Sequence, residues 1–301
     1  MKPLVTKRNN FYPYLLLFVQ PIFMASNIIV ARGGVEYVPP VSLAFWRWLT
    51  VFLILMPFFF NEIIKKKKQF KKESLKLFFL GLMGCGICGA FPFIAGMSTT
   101  MANMGIIYTS SPIFIIILSV LFFNDKINFS RIIGLILCLS GVIIIICKGD
   151  LSYLLNFKFT SGDLWMLGAA IGWAVYSIFL INWKSSFSLM ARFTLIAFFG
   201  AISLMPFYLI EETYLFNTVF NNNFLFWVLF AAISPGIIAF TLYTKVQKYV
   251  GASLAGFTLY IFSIYSAIYG IILFDEALLN FHYYGAALVF IGIYLARKIV
   301  K

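Results

Sequence analysis

Apolar residues fill long stretches of this chain, and short polar clusters separate them. Ten stretches approach or exceed the ~20 residues that a helix needs to cross a bilayer. They run over 11–31, 40–60, 75–97, 101–123, 129–148, 162–182, 187–210, 224–243, 249–273 and 280–298. Only Ser98–Thr99–Thr100 parts the third from the fourth, and Asn124–Asp125–Lys126 parts the fourth from the fifth. The pattern predicts an all-α membrane protein of ten transmembrane helices with short loops and no separate soluble domain. Lys2, Lys7 and Arg8 before the first stretch resemble the start of a secretory signal. That stretch is too long for one, and no small-x-small cleavage pattern follows it, so it reads as an uncleaved first span.

Composition removes the main alternatives. Apolar residues make up 62% of the 301 and charged residues 11%, with 36 phenylalanines. Soluble domains average about 45–50% and about 25%. A soluble interior cannot hide this much apolar surface, so lipid must cover part of it. A soluble enzyme with a small anchor, a secreted disulfide scaffold and a disordered tail are all excluded. Cys85, Cys88, Cys138 and Cys147 lie inside apolar stretches and read as small buried residues.

The net charge of +13 matters through its placement. With the N-terminus in the cytoplasm, 19 of the 23 lysines and arginines fall in inside segments. Arg32, Lys148 and Lys158 fall outside, and Arg47 lies within the second stretch. This asymmetry follows the positive-inside rule and places both termini in the cytoplasm. The Lys65–Lys72 run is then a topology determinant and not a nucleic-acid site.

The two halves repeat. Leu55-Met56-Pro57-Phe58 recurs as Leu204-Met205-Pro206-Phe207, and Gly134 and Gly141 match Gly285 and Gly292. Phe123-Asn124-Asp125 matches Phe274-Asp275-Glu276. Residues 1–150 and 151–301 each hold five spans. Five is odd, so the second half is expected upside down relative to the first, an inverted repeat of the secondary-transporter kind.

Several residues carry a family resemblance. Met24-Ala25-Ser26-Asn27, Pro40-x4-Phe45-x-Arg47 and Tyr108-Thr109-Ser110-Ser111-Pro112 resemble the first half of an EamA unit, as do Asp125, Gly134 and Gly141. Gly251-Ala252-Ser253, Glu276, Gly285 and Gly292 resemble the second half. The chain is similar throughout to two tandem EamA units of the drug/metabolite transporter superfamily. The resemblance implies a multi-pass protein of the bacterial inner (plasma) membrane that exports amino acids or other small metabolites through a central cavity. Asp125 stands where the family usually has Glu. Ser263 stands where the second half usually has Pro, which leaves the ninth span without the break that Pro112 gives the fourth.

Candidate chemistry is sparse. Gly84-x-Gly86-x-x-Gly89 matches a dinucleotide-binding pattern but lies inside an apolar span, where its N–H groups belong to the helix. Close helix packing explains it better. Cys85-x-x-Cys88 fails as a redox pair, because a thiolate is disfavoured in hydrocarbon. No metal-ligand cluster, P-loop or nucleophile elbow is present, so neither cofactor nor catalysis is expected. None of the ten acids lies in mid-span, which argues against a pump for organic cations. Asp125 and Glu276 are expected to cap the helices that follow them. His282 is expected to be an interfacial ring.

Arg47 is the charge that matters most. Its distance from the outer interface favours a guanidinium raised toward the headgroups, with Trp46 and Trp48 in the interfacial belt. The competing reading is a partner for a substrate carboxylate. Gln20 and Asn27, two turns apart, share one face of the first span and either pair with a neighbouring helix or line the cavity. Tyr108, Trp173, Tyr176 and Tyr260 complete the candidate substrate contacts. Pro112 marks a helix break that leaves a carbonyl free.

The expectation is a secondary transporter that moves an amino acid, related zwitterion or organic acid by alternating access, with export implied only by the family resemblance. Its expected partners are a small-molecule substrate and membrane lipids, with a homodimer as a further expectation. Nutrient uptake or exchange, a lipid or prenyl-phosphate flippase and, least, a membrane enzyme are the alternatives.

Overall fold

The computed structural model describes residues 12–99, 101–125, 127–147, 149, 150, 152, 160–274 and 279–296. Every regular element among them is helical. Helix α1 (Tyr12–Ile29) runs on into a π turn (Val30–Gly34), and α2 is Pro40–Lys65. Helix α3 (Lys67–Gly81), a π turn (Leu82–Ile87) and α4 (Cys88–Ala95) form one rod. Then come α5 (Met101–Tyr108), α6 (Ser111–Phe123) and α7 (Phe129–Ile146). The second half holds α8 (Ser161–Asn182), α9 (Leu189–Tyr214) and a long rod of α10 (Asn222–Ala232), a π turn (Ile233–Ile238) and α11 (Ala239–Ala255). It ends with α12 (Thr258–Phe274) and α13 (Asn280–Ala296).

Seven helical stretches are long and apolar enough to cross a membrane, and Ser111–Phe123, Thr258–Tyr269 and Asn280–Ala296 are shorter apolar helices. Large apolar side chains stand exposed along them, among them Phe58, Leu121, Phe129, Phe207 and Ile272. Such a surface belongs in lipid.

Short loops set neighbouring helices antiparallel, giving the bundle two ends. The basic end carries the Lys65–Lys72 run, and the far end carries the loops after the first π turn and after α4. Helices α2 and α9 pack along their length and cap each other. At the far end α2 begins Pro39–Pro40, and neither proline can cap the helix. The N–H groups of Val41 and Ser42, which have no partner within the helix, instead donate to the Glu211 carboxylate at 3.0 and 2.6 Å, and the Ser42 hydroxyl adds a third bond at 2.9 Å. At the basic end Glu62 accepts from the Ser188 N–H at 2.7 Å and from its hydroxyl at 2.6 Å, where α9 begins. Glu62 and Glu211 are 149 residues apart, the spacing of the repeated Leu-Met-Pro-Phe. The π turns at Leu82–Ile87 and Ile233–Ile238 also recur, 151 residues apart. Helices α7 and α13 pack through glycines. A Cβ on Gly141 would sit 2.5 Å from the Gly285 carbonyl, and one on Gly292 would sit 2.5 Å from that of Gly134.

Three expectations change here. First, the eighth stretch reaches Ala255, and its helix breaks at Gly251, whose φ of 82° suits glycine. A further turn at Gly256–Phe257 precedes α12, so the ninth stretch is interrupted without proline. Second, the carbonyl freed near Pro112 is occupied. Helix α5 ends at Tyr108, and the Tyr108 carbonyl accepts from the Ser111 hydroxyl at 2.6 Å. Third, Asp125 does not cap α7. Asn128 does, accepting from the Ser130 N–H, while Asp125 accepts from the Ser119 hydroxyl and so closes the end of α6. Glu276 lies outside the described residues. Leu279 N–H donates to the His282 ring at 3.1 Å, at the start of α13.

Candidate substrate-binding cavity

A cavity of about 90 Å³ lies between the two halves. Helices α1, α2, α4 and α5 line it from the first half. Helices α8, α11 and α12 and the second-half π turn line it from the other.

Among the described residues, Arg47 is the one charged residue on this wall. Its side chain is only 3% exposed. The guanidinium spans the two halves. Nη1 donates to Asn27 Oδ1 and Nη2 to the Pro235 carbonyl, both at 2.9 Å. The π turn explains the second acceptor, because it displaces carbonyls from the regular helical ladder. Arg47 also lies 4.6 Å from the centre of the Trp48 ring. The expected reach toward headgroups is therefore overturned: fixed acceptors inside the bundle hold the cation. Trp48 is no interfacial residue either, since its ring is buried against Phe240 and Phe193. Gly89 makes room for the indole, because a Cβ there would meet Trp48 Nε1 at 2.5 Å.

The remaining wall is apolar. Met24, Met104, Met166, Tyr108, Trp173 and Phe262 give it a thioether and aromatic surface. The structure brings Asn27, Arg47, Tyr108 and Trp173 together on the cavity and leaves Gln20, Tyr176 and Tyr260 outside it. Gln20 pairs with the neighbouring helix, donating to the Ala239 carbonyl at 3.4 Å. Tyr260 is fully buried against Phe257. Tyr176 lies below the cavity in an aromatic floor. There Trp173 and Tyr176 pack against Phe240, and Trp173 against Tyr243, with ring centres 4.8–5.8 Å apart. Tyr243 is pinned to the Ser177 hydroxyl at 2.8 Å, and Gln247 to the Ser177 carbonyl at 2.9 Å. Gly84 admits the Tyr176 ring, since a Cβ there would lie 2.5 Å from it. The glycine pattern in the third span thus serves packing.

The two openings differ. Toward the far end lies a vestibule of about 510 Å³, which shares Ala31, Pro92 and Met104 with the cavity. Below the floor, at the basic end, is a separate pocket of about 390 Å³ lined by Tyr176, Arg192 and Lys248, which shares no residue with the cavity. Beside it the Trp183–Ser188 loop is clasped. Glu73 accepts from the Ser185 hydroxyl and the Ser186 N–H, while Lys66 donates to the Ser186 carbonyl at 2.6 Å.

Sequence reasoning did not single out Pro235, Glu211 or the clasp. The 149-residue offset from Glu62 was the available signal for Glu211. Among the described residues, no group of His, Cys, Asp and Glu is placed to hold a metal.

Comparison with known proteins agrees with this architecture. The model of the EamA-like transporter family matches residues 11–147 and 160–297. An uncharacterized transporter of Archaeoglobus fulgidus is 25% identical over 95% of this chain and 97% of its own. The uncharacterized transporter YyaM of Bacillus subtilis is 24% identical over 96% and 94%. The chloroplastic WAT1-related protein At3g02690 of Arabidopsis thaliana is 24% identical over 93% of this chain and 68% of its own. A protein of known crystal structure shares the fold, with a TM-score of 0.74 over 95% of this chain at 17% identity. The chain belongs to the EamA-like transporter family and is a multi-pass membrane transporter.

Proposed function

We propose that this chain is a secondary transporter that carries a small metabolite, an amino acid, related zwitterion or organic acid, through the central cavity by alternating access. The observation that carries the reading is the cavity between the two halves, open toward one end and floored toward the other. The chain would cross the membrane ten times, as two inverted five-helix repeats with a boundary near residue 150. The recurrence of the Glu caps and of the π turns at nearly constant offsets supports that repetition. The basic end faces the cytoplasm in this reading, so both termini lie inside and the vestibule opens outward. The aromatic floor and the clasp would then close the cytoplasmic path in this state. Rocking of the halves would exchange the two openings. Export through the plasma membrane is the direction adopted here, following the family resemblance.

The test is solute flux into and out of proteoliposomes, with labelled amino acids and organic acids. Saturable flux that exceeds that of empty liposomes, for at least one solute, is expected. Flux of labelled lipid alone would replace this reading with a flippase.

A further inference from the structure

The cavity wall carries a cation that no carboxylate among the described residues neutralises. Arg47 has two neutral acceptors, Asn27 and the Pro235 carbonyl, and its Nε is buried without a partner. The ion pair found among the described residues joins Lys66 to Glu62 at the basic end, far from the cavity. Three carboxylates toward the far end lie off the cavity wall. Glu211 caps α2, Asp163 accepts from Thr99 and the Thr160 N–H at the start of α8, and Glu36 lines the vestibule. A buried charge held only by neutral groups is costly, and an anion that reaches it gains more than it would in water.

Two properties of a ligand follow. A guanidinium offers parallel N–H donors that match a carboxylate, so one carboxylate suits Arg47. Methionines and aromatic rings surround it, so the ligand's body should be apolar. An ammonium group would find no carboxylate on this wall and would lie close to Arg47 in any molecule small enough to fit. Resting on the transporter reading above, we infer that the cavity selects a monocarboxylate with an apolar body and no ammonium group, held through Arg47, over the zwitterion of the same shape.

Four molecules with one body separate these cases: phenylpropanoate, phenylpropanamide, phenylalanine and phenylethylamine. Their Kd values are measured by calorimetry at neutral pH on the full chain in lipid nanodiscs. Phenylpropanoate is expected to bind about tenfold more tightly than the amide or phenylalanine, with the amine weakest. Asn27→Asp then places a carboxylate where Arg47 Nη1 now meets a neutral oxygen. This variant keeps the arginine and should erase the preference for carboxylate, leaving the Kd of the amide within about twofold. Arg47→Gln should act in the same direction, judged in material whose melting temperature matches the parent.

Equal or tighter binding of phenylalanine or the amide would overturn the inference. So would Asn27→Asp retaining the full preference, or no binding by phenylpropanoate. The transporter reading fails on other evidence, the absence of any protein-dependent flux. Flux of amino acids without carboxylate selectivity would leave that reading in place and remove this one.

Discussion

The two ends of the α2–α9 pair meet the same need in different solvents. At the far end the Glu211 side chain is buried, and all three of its donors come from the first turn of α2. At the basic end Glu62 is a quarter exposed, and Lys66 competes for the carboxylate oxygen that the Ser188 N–H uses. Water can replace the Glu62 bonds as they break, but it cannot easily reach those of Glu211. A buried acceptor is expensive to lose, whereas an exposed one is nearly exchangeable. The comparison teaches that the pair is locked where the vestibule opens and releasable where the path is shut. Arg47 rides on the locked helix, while Tyr108 and Phe262 ride on elements adjoining breaks in the helical path.

This contrast is most exposed at Glu211. Glu211→Ala should destabilise the protein by about 2–4 kcal/mol, because two buried backbone N–H groups lose their acceptor. Thermal melting of the purified transporter in one detergent reads the effect. A loss no larger than that of Glu62→Ala would break the comparison.

Gly84→Ala should rank next, at about 1–3 kcal/mol, because overpacking displaces a ring held between neighbours. The same variant should loosen the floor, which faster labelling of an engineered Tyr243→Cys by a small maleimide would detect. Unchanged melting and labelling would show that Tyr176 does not depend on that gap.

Glu62→Ala should cost the least stability, below about 1 kcal/mol, as exposed caps and pairs do. Its larger consequence is expected in access. A reagent supplied at the basic end should reach Thr244→Cys faster once the clasp is weakened, because Glu62 holds the start of α9. A melting loss that matches Glu211→Ala, without a change in labelling, would contradict a releasable end.

Much of this organisation was legible in the sequence, for reasons that can be named. Membrane thickness fixes the length of an apolar run, so the helices appear as stretches of the right size. The glycines at 134, 141, 285 and 292 repeat because two helices must approach closely, and they meet in pairs. Asn27 stands on the cavity wall, one of the two places its amide could be satisfied. What could not be read was depth and partnership. Arg47 lies two turns from an interface in sequence, yet its acceptors come from another helix and from a carbonyl 188 residues away. Gln20 and Asn27 share a face, but α11 covers the first and leaves the second on the cavity. The ninth stretch needed no proline for its first interruption, because Gly251 supplies the backbone freedom there. Serine hydroxyls took the carbonyl that a proline break would leave open, a local substitution invisible to a rule about proline alone.

The passage of solute through the cavity is tested most directly at Ala31, which lines both the cavity and the vestibule. The measurement is the flux of a transported solute in proteoliposomes that hold equal amounts of the parent protein or Ala31→Trp, with matched melting temperatures. Loss of at least about nine-tenths of the flux is predicted, because an indole in the mouth occupies the space that a ligand needs. Undiminished flux through Ala31→Trp would mean that solute takes another route, and the cavity between the halves would not be the transport site.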